Sequence, residues 1–202
     1  MTGLQQPETV TIQAAPNTGI MTLKQGGQTT FDTGLEVSTS TPVASYSWDF
    51  NGTGSNELRC YNHSSVNASY EEAGLYLTQV NMLDTAGNSS TDTAIVNVLD
   101  YSVMNSIFTQ KWTGMLSALG NGDISSATGY FNPVVQSVFN QRFSAIALSL
   151  PQFILNMGPF NLERIIDSIA EGDLRITKDG VTYSFQVLFI RDENGTWGIL
   201  SF

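Results

Sequence analysis

The apolar period of this chain first changes at Leu99-Asp100. Before it, apolar side chains fall at every second position in short runs separated by turn residues. From Tyr101 onward they recur at three and four residues, and alternation returns only near the end. A period of two builds a half-buried strand and a period of 3.6 builds a helix. The 202 residues therefore divide into an all-β antiparallel sandwich followed by an α+β unit. The expected boundaries are a linker or tail over 1–7, a sandwich over 8–99 and the α+β unit over 100–202.

In the first half, Thr9 to Ala14 alternates and Pro16-Asn17-Thr18-Gly19 reads as a turn. Thr29 to Val37 is extended, with a break expected at Gly34. Ser45-Tyr46-Ser47-Trp48-Asp49-Phe50 alternates into a turn at Asn51-Gly52-Thr53-Gly54. Leu75 to Leu83 places Tyr76, Thr78, Val80 and Met82 on one face, and Thr93 to Val98 closes the series. Strands of this length with regular turns specify a sandwich. Trp48 falls where an immunoglobulin-like sandwich puts its core tryptophan. Glu71-x-x-Gly74-x-Tyr76 has the spacing of a tyrosine corner, whose phenol bonds back to upstream backbone.

The pattern Tyr46-x-Trp48-Asp49-Phe50, then Tyr70-x-x-x-Gly74-x-Tyr76-x-Thr78-x-Val80-x-Met82-x-Asp84-x-x-Gly87, resembles a PKD (polycystic kidney disease) domain. The resemblance implies an immunoglobulin-like fold used outside cells as a spacer, or as a module that binds protein or carbohydrate. Family members often read Trp-Asp-Phe-Gly-Asp-Gly; here Asn51-Gly52-Thr53-Gly54 follows Phe50.

Asp49, Asn51 and Thr53 place oxygens at alternate positions, as the start of a calcium loop does. Thr53 stands where an acid is needed, and no second carboxylate follows at the expected offset. The expectation is instead that Asp49 and Asn51 hold the turn by side-chain to backbone hydrogen bonds. The lone cysteine, Cys60, excludes an intrachain disulfide and a cysteine zinc site, and reads as a tolerated thiol in a loop or edge strand. The lone histidine, His63, reads as a solvated loop residue. Asn-x-Ser/Thr sequons occur at Asn51, Asn62, Asn67, Asn88 and Asn194, as chance allows in a chain this rich in Asn, Ser and Thr.

In the second half, Val103, Ile107, Phe108, Trp112, Met115, Leu116 and Leu119 share helical spacing, and Gly120-Asn121-Gly122 stops that helix. Asp123 is placed to cap a short helix through Ala127 to Phe131. Asn132-Pro133 starts a third, with Pro133 at its first position. Its expected apolar stripe is Val134, Val135, Val138, Phe139, Phe143, Ile146 and Leu148. Ser149 is a candidate cap for a fourth, with Pro151 in its first turn. Strands follow over Asn161 to Ala170, then Leu174 to Thr177. A hairpin signal at Lys178-Asp179-Gly180 precedes alternation over Val181 to Arg191, with Tyr183, Phe185, Val187 and Phe189 on one face. Trp197 and Ile199 lie in the last strand. The expected fold is helices packed on a four-stranded antiparallel sheet.

This order, with Trp112-x-x-Met115-x-x-Ala118-Leu119-x-x-Gly122-Asp123 and Phe189-x-Arg191-Asp192-x-x-Gly195-x-Trp197-x-Ile199-x-x-Phe202, is similar to the nuclear-transport-factor and ketosteroid-isomerase superfamily, with its SnoaL-like, cystatin-like α+β domains. The resemblance implies a cone whose sheet wraps the helices, sometimes around a ligand cavity, and a homodimer through the sheet. Trp112, Tyr130, Phe139 and Phe143 are the candidate pocket residues, with core packing as the alternative. Enzymes of this kind need a positioned acid or base. This half has no histidine, and its acids fall mostly at caps, turns and strand edges. Glu163 and Asp167, in a strand, are the two with an inward option. No catalytic residue and no cofactor are expected.

The net charge of −10, with eight Lys plus Arg, repels phosphate backbones and anionic headgroups and argues against nucleic-acid binding and membrane docking. No apolar run approaches the roughly 18 residues of a membrane span. The first seven residues lack the basic and apolar regions of a signal peptide and read as a linker within a longer parent. A charged fraction of 13% is low for a cytosolic protein and suits an extracellular β-rich module. The expectation is a non-catalytic interaction or spacer module of a secreted or surface protein. The alternatives are a ligand-binding or enzymatic cavity in the second half, or dimerisation through its sheet.

Overall fold

Among the described residues, period-two alternation becomes nine strands before residue 100. They are β1 (Val10–Ala15), β2 (Thr18–Ile20), β3 (Thr22–Leu23), β4 (Thr29–Thr39), β5 (Val43–Asp49), β6 (Leu58–Cys60), β7 (Ser65–Tyr70), β8 (Gly74–Asp84) and β9 (Ser89–Leu99). The computed structural model describes residues 9–23, 28–61, 63–178 and 180–202. The expected linker over 1–7 and the sequon at Asn62 lie outside them. The chain divides into two units, 1–99 and 100–202.

In the first unit, β4 is the spine of one sheet. It pairs antiparallel with β1 from Val10↔Thr39 to Ala15↔Gly34, with β3 at Thr22↔Thr30, and with β7 from Phe31↔Tyr70 to Glu36↔Ser65. The second sheet runs β2-β9-β8-β5-β6, with β2 parallel to β9 and the others antiparallel. The two inner faces meet on Trp48, Leu35, Val80 and Val96, each fully buried, flanked by Tyr46, Tyr70 and Met82. Such a core follows directly from alternation, since each strand turns one side-chain row inward. The indole Nε1 of Trp48 is buried and finds no acceptor.

Two expectations change here. Pro16 to Gly19 is not a simple turn. The chain leaves the first sheet after Ala15, and Thr18–Ile20 joins the second beside Asn97–Leu99. Gly34 does not break β4, because its partners Ala15 and Asn67 keep both edges of the strand paired.

The second unit begins with α1 (Tyr101–Gly120), α2 (Ile124–Thr128), α3 (Pro133–Ala145), a 3-10 turn (Ala147–Ser149) and α4 (Leu150–Leu155). An antiparallel sheet follows in the order β10 (Phe160–Ile166), β11 (Ile169–Lys178), β12 (Val181–Arg191) and β13 (Trp197–Ser201). Asp100 caps α1 by accepting from Val103 N at 2.9 Å, Asp123 caps α2 from Ser126 N at 2.9 Å, and Asn132 caps α3 from Val134 N at 3.1 Å. Ser149 occupies the capping position of α4 but makes no side-chain cap. Helix and sheet join through Phe108, whose ring lies 4.6 Å from Phe189, 5.2 Å from Trp197 and 6.2 Å from Phe160. No helix among the described residues is long and apolar enough to cross a membrane.

The sequence pattern overshot at four places. On α1, Val103 and Ile107 of the expected stripe are exposed, and Met104, outside that stripe, takes the buried position. On α3 only Phe139 and Phe143 are buried; Val134 and Val138 face solvent, as do Ile146 and Leu148 just beyond its end. The β-branched run from Asn161 to Ala170 is two strands, not one, because Asp167 adopts φ 53° and Ile166 pairs back onto Ile169. On β12, Val187 and Phe189 are buried, but Tyr183 and Phe185 on the same face are each 49% exposed. Strands β11 and β12 close at Lys178↔Val181; Asp179, part of the expected hairpin signal, lies outside the described residues.

Candidate functional site

The Trp48-Asp49-Phe50-Asn51 segment leaves β5 at the edge of the core and folds back over Asp49. The carboxylate of Asp49 is buried, 2% exposed. Its Oδ1 accepts from Gly52 N at 2.7 Å and Thr53 N at 3.3 Å, and its Oδ2 accepts from Gly54 N at 2.6 Å. Asn51 Oδ1 accepts from Thr53 N at 2.9 Å. Gly52 stands at φ 73°, a conformation that side chains resist. Asp49 and Asn51 thus spend their oxygens on backbone donors, and Thr53 contributes its N–H. Among the described residues, no group of three or more His, Cys, Asp or Glu is placed to hold a metal ion.

The same device recurs. Asp84 Oδ1 accepts from Ala86 N at 2.8 Å and Asn88 N at 2.7 Å, and Asp192 Oδ1 accepts from Asn194 N at 3.0 Å and Thr196 N at 2.8 Å. Short acids at the first position of a turn satisfy the turn's free N–H groups. Cys60 closes the edge strand β6 at the rim of the core, with its thiol 3.8 Å from the His63 carbonyl oxygen.

In the second unit, three of the four candidate pocket residues come together. Phe139 and Phe143 lie 5.9 Å apart, and Phe139 stacks on Phe131 at 4.2 Å. Trp112 meets Phe202 edge-on at 5.1 Å, and Phe202 stacks on Phe139 at 5.5 Å. Trp112, Phe139 and Phe143 are buried. The Trp112 indole donates to the Gly158 carbonyl at 3.3 Å. Tyr130 stands apart, half-buried, with its phenol over Gly114, where an added Cβ would lie 2.5 Å from the phenol oxygen. Each of the three rings is therefore in contact with another ring.

The acids of this unit are placed differently from expectation. Glu163 sits at a bulge in β10 and is exposed. Asp167 forms the β10–β11 turn and is exposed, so neither faces inward. The buried acid is Asp173 on β11, 4% exposed. Its Oδ2 accepts from Arg175 Nε at 2.6 Å and Ser184 Oγ at 3.1 Å, while Oδ1 has no partner. Asp173 alternates with the buried Leu174 and so points away from the helices, between Asn161 and Gln186 of the neighbouring strands. Beside it, Arg164 grips Glu171 with two hydrogen bonds of 2.6 and 2.9 Å, and this holds the Glu171 carboxyl below its ordinary range. Hydrogen bonds from Ser126 and from Ser102 lower the Asp123 and Asp100 carboxyls in the same way. The sequence signal for Asp173 was its position in the Glu171-Gly172-Asp173-Leu174-Arg175 alternation, which sets three charged residues on one face.

The two-sheet core around Trp48 and the bond from Tyr76 Oη to the Glu72 carbonyl, 2.9 Å long, define an immunoglobulin-like sandwich with a tyrosine corner. Residues 3–97 match the PKD domain, and the chain carries a PKD domain over that span. A solved structure similar to this chain is the crystal structure of the PKD1 domain from Vibrio cholerae metalloprotease PrtV. It is 21% identical, with 41% of this chain and 96% of that chain covered and a TM-score of 0.29. No curated protein matches the chain.

Proposed function

We propose that the chain is a non-catalytic interaction or spacer module of an extracellular or cell-surface protein. The observation that carries this reading is the PKD domain over residues 3–97, a type that commonly mediates protein or carbohydrate contacts. Two features support it. The acids of its turns are occupied by backbone N–H groups. The charged fraction of 13% also suits the outside of a cell. The second unit fits a SnoaL-like, cystatin-like α+β domain by its element order, helices first and a four-stranded antiparallel sheet second. Its ring cluster of Trp112, Phe139, Phe143 and Phe202 favours a packed core over a ligand pocket.

Biolayer interferometry of the whole chain against immobilised matrix proteins and polysaccharides tests this. Saturable binding to one class, with no probe chemically altered, is the expected result. Conversion of a probe would overturn the non-catalytic reading. A rise in melting temperature with small apolar compounds, lost in Phe139→Leu, would move the function to the second unit. Protease shaving of intact cells that make the parent protein tests its placement; protection of this segment would oppose it.

A second reading, self-association of the α+β unit through its sheet, is favoured by one stripe. Val181, Tyr183 and Phe185 follow one another on one face of β12 and are 52%, 49% and 49% exposed. Sedimentation equilibrium of the chain and of Phe185→Ser checks it; a monomer at every concentration rejects it.

A further inference from the structure

On the outer face of the second sandwich sheet, the middle of strand β5 carries small side chains, Ser45 and Ser47. Its neighbours carry large ones. Arg59 of β6 lies directly across from Ser47, and Tyr61 follows one step beyond β6. On the other side, Asn81 pairs with Ser47 and Leu83 with Ser45. Small residues on one strand between large ones on both neighbours leave a trough along that strand. The trough encloses about 310 Å³ lined by these residues, near the lower end of the roughly 300–1,000 Å³ of small-molecule sites.

Its chemistry is selective. The Tyr61 ring is 79% exposed and Leu83 is 41% exposed, so each side has an apolar wall. The floor offers two hydroxyls, and Asn81 adds an amide whose oxygen accepts from Thr91 Oγ1 at 2.6 Å and whose N–H₂ donates to Gln79 Oε1 at 3.5 Å, which leaves a second N–H for a ligand. Arg59 is the cation of the lining, which contains no acid. No described residue forms a hydrogen bond or ion pair with its guanidinium. In a chain of net charge −10, the trough thus concentrates positive charge at one point. A charge acts strongly only within about 8 Å at physiological salt, so Arg59 acts on a ligand seated beside it. A guanidinium presents a planar fork that matches a carboxylate. An exposed aromatic wall with hydroxyl and amide donors suits a hydroxylated ring that has an apolar C–H face.

We propose that this trough binds a carboxylate-bearing sugar ring of the uronic-acid class. The carboxylate pairs with Arg59, the ring face lies on Tyr61, and the ring hydroxyls bond to Ser45, Ser47 and Asn81. This rests on the interaction-module reading above and names a ligand class for it.

The test is NMR titration of the whole chain at physiological salt with three probes: a galacturonic acid trimer, a galactose trimer and hexaglutamate. The expected result is saturable movement of the Ser45, Ser47, Arg59, Tyr61 and Asn81 amide signals with the acidic sugar. Affinity should be at least tenfold weaker for the neutral trimer, and at least tenfold lower in Arg59→Ala and Tyr61→Ala. Both side chains are exposed, so both variants should keep the parent melting temperature, and Arg59→Lys should recover part of the affinity. Equal binding of the two sugars, or full affinity in Arg59→Ala, overturns the proposal. Tighter binding of hexaglutamate overturns it in favour of an acidic peptide. Signal changes confined to another surface, or no binding of any probe, overturn the trough as the site; the interaction-module reading then still stands or falls by its own panel.

Discussion

The phenol of Tyr76 donates to the carbonyl oxygen of Glu72, 2.9 Å away and four residues back in the chain, and its ring lies 4.4 Å from that of Tyr70. The bond ties the start of β8 to the turn that delivers it, and the ring pair carries the tie to the core. Tyr76→Phe keeps the ring and removes only the hydroxyl. A net intramolecular hydrogen bond contributes about 1 kcal/mol. Urea unfolding of Tyr76→Phe should show a midpoint lowered by about that free energy with an unchanged slope. An unchanged midpoint would mean that water replaces the bond at no cost.

Asp49 concerns both stability and metal. Its two oxygens accept from Gly52, Thr53 and Gly54, so an amide in its place sets an N–H₂ group against one row of donors. Hydrogen bonds to a charged acceptor contribute roughly 1.5–3 kcal/mol each, and a buried donor left unpaired adds its own penalty. Asp49→Asn should therefore destabilise the first unit by about 2–3 kcal/mol. Because these oxygens are already occupied, calorimetric melting curves of the native chain with millimolar Ca²⁺ and with chelator should coincide. A folded-state ligand must raise the apparent stability, so a calcium-dependent rise would reopen Asp49, Asn51 and Thr53 as a site.

What the sequence revealed, and what it hid, divides along physical lines. Trp48, Tyr76 and four members of the α1 stripe, Phe108, Trp112, Met115 and Leu119, were legible because each rests on local period or fixed spacing, whereas Val103 and Ile107 of that stripe face solvent. The sheet switch after Ala15 was not, since a three-residue strand is too short to show a period and its partner Asn97–Leu99 is distant in the chain. Asp167 was hidden by the apolar residues on both sides of its turn, Ile165-Ile166 and Ile169. The exposure of Val134 and Val138 was equally unreadable, because the aromatic rings of Phe139 and Phe143 alone fill the buried face of α3. Asp173 is a buried acid that composition places at the surface. Only the register of β10, β11 and β12 shows that it is covered by its neighbours. The trough along β5 likewise depends on which strands flank Ser45 and Ser47, which is a fact of pairing rather than of sequence.

Gly172 tests the packing of the second unit. It lies against the Phe160 ring, and an added Cβ would collide with that ring and with the Asn161 carbonyl oxygen. The Phe160 ring is itself wedged 5.3 Å from Phe189 and 6.2 Å from Phe108, so it has no free space to enter. Overpacking a filled core costs about 1–3 kcal/mol. Gly172→Ala should lower the melting temperature of the second unit, read by near-UV circular dichroism of its aromatic cluster. Gly54→Ala is a poor control because its φ of 84° is strained for any side chain. Ser144→Ala, on the exposed side of α3, is the appropriate one and should melt as the native chain does.

The Arg164–Glu171 pair should make the stability of the second unit depend on acid. The two hydrogen bonds from Arg164 lower the Glu171 carboxyl below its ordinary value of 4.5, against the opposing effect of partial burial. A carboxyl that is lowered on folding adds stability that is fully present above its unfolded value. That stability is lost as the pH falls through the folded value. The relevant window therefore opens near pH 4.5 and extends below it. The pair is partly solvated, with Arg164 54% and Glu171 22% exposed, so its contribution is that of a screened surface pair, about 0.2–1 kcal/mol. Asp100 and Asp123 are lowered in the same direction by their caps, and they set the background against which the pair is read. Denaturant unfolding at pH 7 and pH 3 should thus show a larger loss in the native chain than in Glu171→Gln, with the difference shrinking in 1 M salt. An equal loss in both chains would show that the pair is replaced by solvent at no cost.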